Sequence, residues 1–274
     1  MDLRTDALRV LKETSRTFYI PISRLPGELL DAVASAYLMM RAIDEIEDHE
    51  TLDNRTKSRL LRRMSLNCQA ADETSGAACF SAGLAEESGG LPEVSLRIGE
   101  WAMLAPKAVA ARIHEATAAM ADRMAHWADR NWTIRTEAEL NQYTFSVAGS
   151  VGLLLSDLWA WHDGTQTNRF EAVGFGRGLQ AVNIARNEKE DRERGVRFLP
   201  DGWDGRHIRT YARHNLGLAD SYTASIPKGP ARTFCQIPLS LAHATLKALD
   251  FGAEKLSRDD VNAIVGRLDA EAAI

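Results

Sequence analysis

Tyr37, Arg41, Asp44 and Asp48 stand at offsets 0, 4, 7 and 11, and Gln180, Asn183, Asn187 and Asp191 at offsets 0, 3, 7 and 11. At about 3.6 residues per turn each set falls within roughly 60° of one helix face. The two stripes run through the acidic segments Asp44-Glu45-Ile46-Glu47-Asp48 and Asn187-Glu188-Lys189-Glu190-Asp191. Magnesium is a hard cation that takes oxygen ligands, keeps several waters and is commonly held by one or two carboxylates together with substrate phosphates. Asp44 with Asp48, and Asn187 with Asp191, would offer such oxygens from two helices. Arg41 and Arg186 carry the fork geometry that matches diphosphate oxygens, and Lys189 adds a mobile point charge. Both arginines are equally placed to pair along their own helices, Arg41 with Asp44 and Arg186 with Glu190. A polar stripe on an otherwise apolar helix is costly to bury unless something is bound against it. The bland alternative is a solvated charge run at a helix end; recurrence of the same stripe argues against it.

The elements that must position these residues read as helices throughout, with no sustained alternation of β-branched and polar residues, so the fold class is all-α. Pro26-Gly27 opens a helix through the first stripe to about Glu50, and Asp53-Asn54 caps the next. Thr74 to Pro92 reads as a weak helix followed by a loop. An alanine-rich segment spans about Glu93 to Asp129, kinked or split at Pro106. Thr136 with Glu139 has capping-box spacing and starts a helix through Tyr143 and Val147-Ala148-Gly149-Ser150-Val151-Gly152 to about Trp161, whose small residues permit close helix approach. Asn168 caps the helix of the second stripe, which ends near Gly195. Leu199-Pro200-Asp201-Gly202 is a turn, and helices at about Gly205–Ser225, Pro230–Phe251 and Arg258–Ala273 complete the chain. Residues 1–274 are expected to form a single domain, a bundle whose core holds the site.

The 274 residues are 45% apolar with a net charge of −5. That balance argues against a nucleic-acid partner, which needs clustered Lys and Arg. Cys68, Cys79 and Cys235 suggest neither a disulfide framework nor a zinc site, and fit thiols in a reducing compartment. The start lacks the build of a signal peptide and no apolar run reaches the roughly 18 residues of a spanning helix, so a cytoplasmic protein is expected, with peripheral membrane contact compatible with an amphiphilic substrate. The seven histidines show no metal-ligand spacing. No glycine-rich strand-to-helix fingerprint is present, so NADPH, if used, is not held by a Rossmann unit.

Four motifs then stand in order: Ser15-Arg16-Thr17-Phe18; Tyr37 through Arg41-Ala42-Ile43-Asp44 to Glu47-Asp48; Tyr143 with Val147 to Gly152; and Gln180-x-x-Asn183-Ile184-x-Arg186 to Glu190-Asp191. With these the chain resembles the squalene and phytoene synthases, more closely the squalene branch, from about residue 10 to 200. The resemblance implies an α-helical fold of the isoprenoid synthase type with a central cavity. It also implies a transferase that joins two prenyl diphosphates, most plausibly farnesyl diphosphate, head to head through a cyclopropyl intermediate with release of diphosphate. By that mapping Asp44, Glu47, Asp48, Asn187 and Asp191 bind magnesium. Arg16, Arg41, Tyr37, Gln180 and Asn183 line the ionisation site, Arg186 holds diphosphate, and Tyr143 assists proton removal or steadies the cation. The carbocation survives only where water is excluded; Phe18, Met39, Met40, Phe145, Leu153 and Leu154 are candidate walls, each also readable as plain core.

Asn187 departs from the aspartate that usually begins the family's second motif. Its amide oxygen still coordinates a metal, but one negative charge is lost and weaker magnesium binding follows. That loss keeps two other readings open: a class I terpene cyclase that ionises one prenyl diphosphate, and a non-catalytic helical assembly factor on the same scaffold.

Overall fold

Short polar side chains such as Asp2, Asp53, Thr136 and Asp204 open several of the helices by accepting the first-turn N–H groups that no helix can satisfy internally. The chain is represented by a computed structural model that describes residues 2–72, 74–87, 90–193, 195–253 and 255–272. Among these the elements are helical, and the strand-type pairing is one isolated bridge between Thr133 and Arg197. The all-α expectation holds. Contacts divide the chain into two compact units, Met1–Trp132 and Thr133–Ile274.

The first unit contains α1 (Leu3–Thr14), α2 (Arg16–Ile22), α3 (Gly27–Glu47) and α4 (Asn54–Ala70). Short helices α5 (Ala77–Ser81), α6 (Leu84–Glu87), α7 (Glu93–Leu96) and α8 (Ile98–Met103) precede the long α9 (Lys107–Asp129). Asp53 Oδ1 accepts the Thr56 N–H at 2.7 Å, as its sequence position required. Pro106 is the N-cap of α9 and separates it from α8, since proline has no N–H to give an interior turn, and a second break at Arg97 divides the alanine-rich stretch into three helices. The stretch after Thr74 holds two short helices where one weak helix was expected. Helix α3 is the centre of this unit, with Leu29, Leu38, Met39 and Ile43 fully buried. Buried hydroxyls tie it to its neighbours: Ser35 Oγ donates to the Trp101 carbonyl at 2.7 Å and Ser95 Oγ to the Ala42 carbonyl at 2.9 Å.

The second unit contains α10 (Glu137–Thr144), a π-helical turn (Phe145–Gly149), α11 (Ser150–Asp163), α12 (Arg169–Glu193), α13 (Gly205–Ser225), α14 (Pro230–Asp250) and α15 (Arg258–Ala272). The Thr136 and Glu139 capping box forms in both directions, and Asn168 Oδ1 accepts the N–H groups of Phe170 and Glu171 at 3.0 and 3.3 Å. The π turn is the departure here: the pattern predicted one continuous helix, whereas the Ser150 N–H reaches back five residues to the Phe145 carbonyl. Glycines explain the close packing around α12. A Cβ on Gly152 or Gly176 would lie 2.0 Å from the carbonyl oxygen of Ala172 or Ala148, and one on Gly174 would meet Leu218 of α13 at 2.5 Å. Helix α12 is thereby fixed in rotation between α11 and α13.

Candidate active site

In the first unit the polar stripe of α3 gathers a small charged cluster. The Arg41 guanidinium donates from Nη2 to Glu45 Oε1, and its Nη1 lies 4.0 Å from Asp44 Oδ2. About a third of the Asp44 side chain remains accessible, at 32%, yet its Oδ1 is enclosed and meets no hydrogen-bond partner among the described residues. The carboxyl is pushed up to about 7, first by burial and then by Asp48 and Glu45, with Arg41 opposing. Arg41 Nε is likewise buried with no such partner. One turn earlier, Tyr37 is half-buried against Phe18, ring centroids 5.3 Å apart, and its phenol is pushed up to about 12 by burial despite the Ser15 hydroxyl beside it. Glu47 is half-buried, and its carbonyl, at the end of α3, accepts from Lys57 Nζ at 2.5 Å; Asp48 is exposed. Helix α2 places the Arg16 backbone, but its side chain lies outside the described residues. Met39 and Met40 are core, at 0% and 6% exposure.

In the second unit Asp191 is buried at 6% exposure, whereas Asn183 and Arg186 are exposed and Gln180 and Asn187 half-buried. Asn183 Nδ2 donates to Gln180 Oε1 at 3.4 Å, and Arg186 Nε to Asn187 Oδ1 at 3.1 Å, so this stripe is internally hydrogen-bonded. Beside it a cavity of about 350 Å³ is lined by Ile184, Glu188 and Asp191 of α12 and by Phe198 and Trp203 of the following loop. Asn187 is not among its walls. Glu188, which the stripe reading left out as a site residue, sits about 100° further round the helix and does face the cavity. The i, i+4, i+7 spacing of Ile184, Glu188 and Asp191 was the available signal. Tyr143 is 2% exposed and stacks on Phe198, centroids 4.7 Å apart and planes 14° apart. Phe145 and Leu153 are half-buried, and Leu154 is core at 3% exposure. The loop is held by Arg197 Nη2, which donates to the Pro200 and Trp203 carbonyls at 3.4 Å.

Among the described residues no three carboxylates, imidazoles or thiols converge on a common metal position. Magnesium does not demand that: it is usually shared between one or two carboxylates, phosphates and waters. The orphaned Asp44 Oδ1, a buried carboxyl oxygen, fits that chemistry.

The family model described as squalene/phytoene synthase matches residues 11–207. This chain belongs to the squalene/phytoene synthase family. All four ordered motifs, from Ser15 to Asp191, lie inside the matched stretch. The squalene synthase of Homo sapiens is 28% identical over 271 residues, covering 88% of this chain and 62% of that protein. The squalene synthase of Schizosaccharomyces pombe is 31% identical over 275 residues, with 88% and 58% covered. The chain thus spans about three fifths of the length of these curated relatives. The solved complex of TcSQS with a ligand matches at a TM-score of 0.77 and 23% identity, over 97% of this chain and 86% of that one. A ligand-bound dehydrosqualene synthase matches at 0.67 and 16% identity, over 99% and 96%. These likenesses establish the all-α isoprenoid-synthase fold. Within the matched stretch Glu188, and not Asn187, lines the cavity.

Proposed function

We propose that the protein is a magnesium-dependent prenyltransferase that joins two prenyl diphosphates, farnesyl in size, head to head with release of diphosphate, and that residues 1–274 act as one catalytic domain. The observation that carries the reading is the pair of orphaned atoms on α3, Asp44 Oδ1 and Arg41 Nε. Leaving a buried polar atom unsatisfied costs on the order of 1–3 kcal/mol, more for a charged group. A divalent cation and a phosphate oxygen are the partners that would remove that cost. Asp44, Glu47 and Asp48 on one helix, and Asp191 with the Asn187 amide on another, would hold magnesium, which when bound neutralises the departing diphosphate.

The chain's own residues do the rest. Arg41, Arg16 and Arg186 orient diphosphate oxygens, and Tyr37, Gln180 and Asn183 line the ionisation site. The allylic C–O bond breaks with its electron pair leaving on the diphosphate. The double bond of the second prenyl chain attacks the allylic carbon, and loss of a proton closes the cyclopropane. Tyr143, stacked on Phe198, offers an aromatic face to the cation and a phenolic oxygen near the proton. Phe18 packed on Tyr37 keeps water from the ionising end. Reduction of the cyclopropyl product would need a hydride donor such as NADPH, to which we assign no residues. No described helix is long and apolar enough to cross a membrane; we read the protein as cytoplasmic, with peripheral contact where its amphiphilic substrate resides.

Asn187 favours a second reading, ionisation of a single prenyl diphosphate followed by cyclisation. The test is incubation with magnesium and farnesyl or geranylgeranyl diphosphate, with and without NADPH, followed by mass analysis. A product with doubled carbon count is expected. Retention of the substrate's carbon count selects the cyclase, and absence of diphosphate release under every condition selects a non-catalytic scaffold.

A further inference from the structure

Arg177 lies on α12 outside both acidic stripes, and no motif of the sequence singled it out. Its side chain lies against the π turn and the end of α10. Nη2 donates to the Asn141 carbonyl at 3.1 Å, on the turn before the π segment. Its Cζ lies 6.0 Å from the centroid of the Phe145 ring, the first π residue. Its Cγ would be 3.5 Å from a Cβ at Gly149, the last π residue. Nε is buried with no hydrogen-bond partner among the described residues, so the side chain is held there at a cost.

A second contact set closes the same turn from α13. Tyr211 donates its phenol to Asn141 Oδ1 at 2.8 Å and lies 3.1 Å from Thr144 Oγ1. Asn141 and Thr144 flank Tyr143, so both sides of that residue are pinned while its ring stacks on Phe198. An inserted π residue rotates everything after it by about 100° relative to everything before it. Without a clamp the extra residue could relax into an α-helix, and Tyr143 would lose its direction relative to the glycine face of α11.

We propose that Arg177 is a positioning residue, a clamp that holds the π turn in register so that Tyr143 stays fixed against Phe198 for the reaction proposed above. The inference rests on that functional reading for its catalytic consequence and on the geometry alone for the clamp.

The test compares wild type with R177M, R177K and Y143F. Two readouts are taken: steady-state kinetics with farnesyl diphosphate and magnesium, and hydrogen exchange of the amides from Phe145 to Ser150. R177M is expected to lower kcat by about tenfold to a hundredfold with KM changed by less than about twofold, since misplacement of a catalytic group rather than lost binding is at stake. Exchange across the π turn should quicken by about tenfold or more while that of α13 is unchanged. R177K keeps charge and stem but not the fork, and serves the same measurements if R177M does not fold; it should fall between the two. Unchanged exchange in either variant overturns the clamp. Unchanged kcat beside an impaired Y143F overturns its catalytic role. If wild type releases no diphosphate from any prenyl diphosphate, the functional reading falls, and exchange still decides the clamp.

Discussion

Asn187 is where one atom changes the electrostatics of the second motif. A carboxylate there would add a full charge within a few ångströms of a divalent ion, less the desolvation that charge would cost. Its present amide oxygen already accepts from Arg186 Nε at 3.1 Å, so a new charge would find a partner at once. Asn187→Asp should therefore lower the magnesium concentration for half-maximal rate several-fold, measured by titrating magnesium at saturating prenyl diphosphate; an unchanged or higher requirement refutes this account of the position. Asp44→Asn should cost about 100-fold or more in kcat, because it removes the charge and replaces one of the two carboxylate oxygens with an N–H donor. The identities Arg41, Asp44 and Asp48 were legible from type and spacing. Which carboxylate oxygen would be enclosed, and that Glu188 rather than Asn187 would face the cavity, were not. A stripe gives relative angles around a helix, while the packing partners choose the zero of that angle.

Helices α11, α12 and α13 depend on glycine contacts that leave no space for a methyl group. Gly176→Ala would drive Cβ to 2.0 Å from the Ala148 oxygen and should destabilise the protein by about 3 kcal/mol or more. Gly217→Ala, on α13 with nothing within 4 Å, should instead stabilise by about 1 kcal/mol. Urea midpoints of the two variants decide the point, and similar midpoints would contradict the packing. A second element-scale device ties α1 to α7 and α8 through charge: Arg97 bonds Asp6 and reaches Glu100 at 2.6 Å, and Arg9 reaches Glu93 at 2.9 Å. Arg97 foremost, with Arg9, holds the Asp6 and Glu93 carboxyls below their usual range. Carboxyls lowered in the folded state contribute stability that is fully present above about pH 4 and is lost as pH falls through their folded values. Melting temperature should thus fall more steeply below pH 4 in wild type than in Asp6→Asn, which at neutral pH should be less stable by about 1 kcal/mol. Parallel acid profiles would count against the tie.

For the whole molecule, burial orders the three thiols. Cys68 is pushed up to about 12 by burial and Cys235 higher still, while Cys79 is only half-buried. A thiol reagent should label Cys79 first and the other two only on unfolding, and early labelling of Cys235 would contradict the core of the second unit. Asp44 and Asp191 belong to different compact units. Helix identity, the Asp53, Thr136 and Asn168 caps and the ordered family motifs were determined by the sequence itself, because they depend on hydrogen bonds and periodicities spanning a few residues. The π turn, the burial of Asp44 Oδ1 and the cavity wall of Glu188 were decided by tertiary structure, because each depends on which neighbouring helix presses against which azimuth, and that is settled only when the glycine contacts and the core close together.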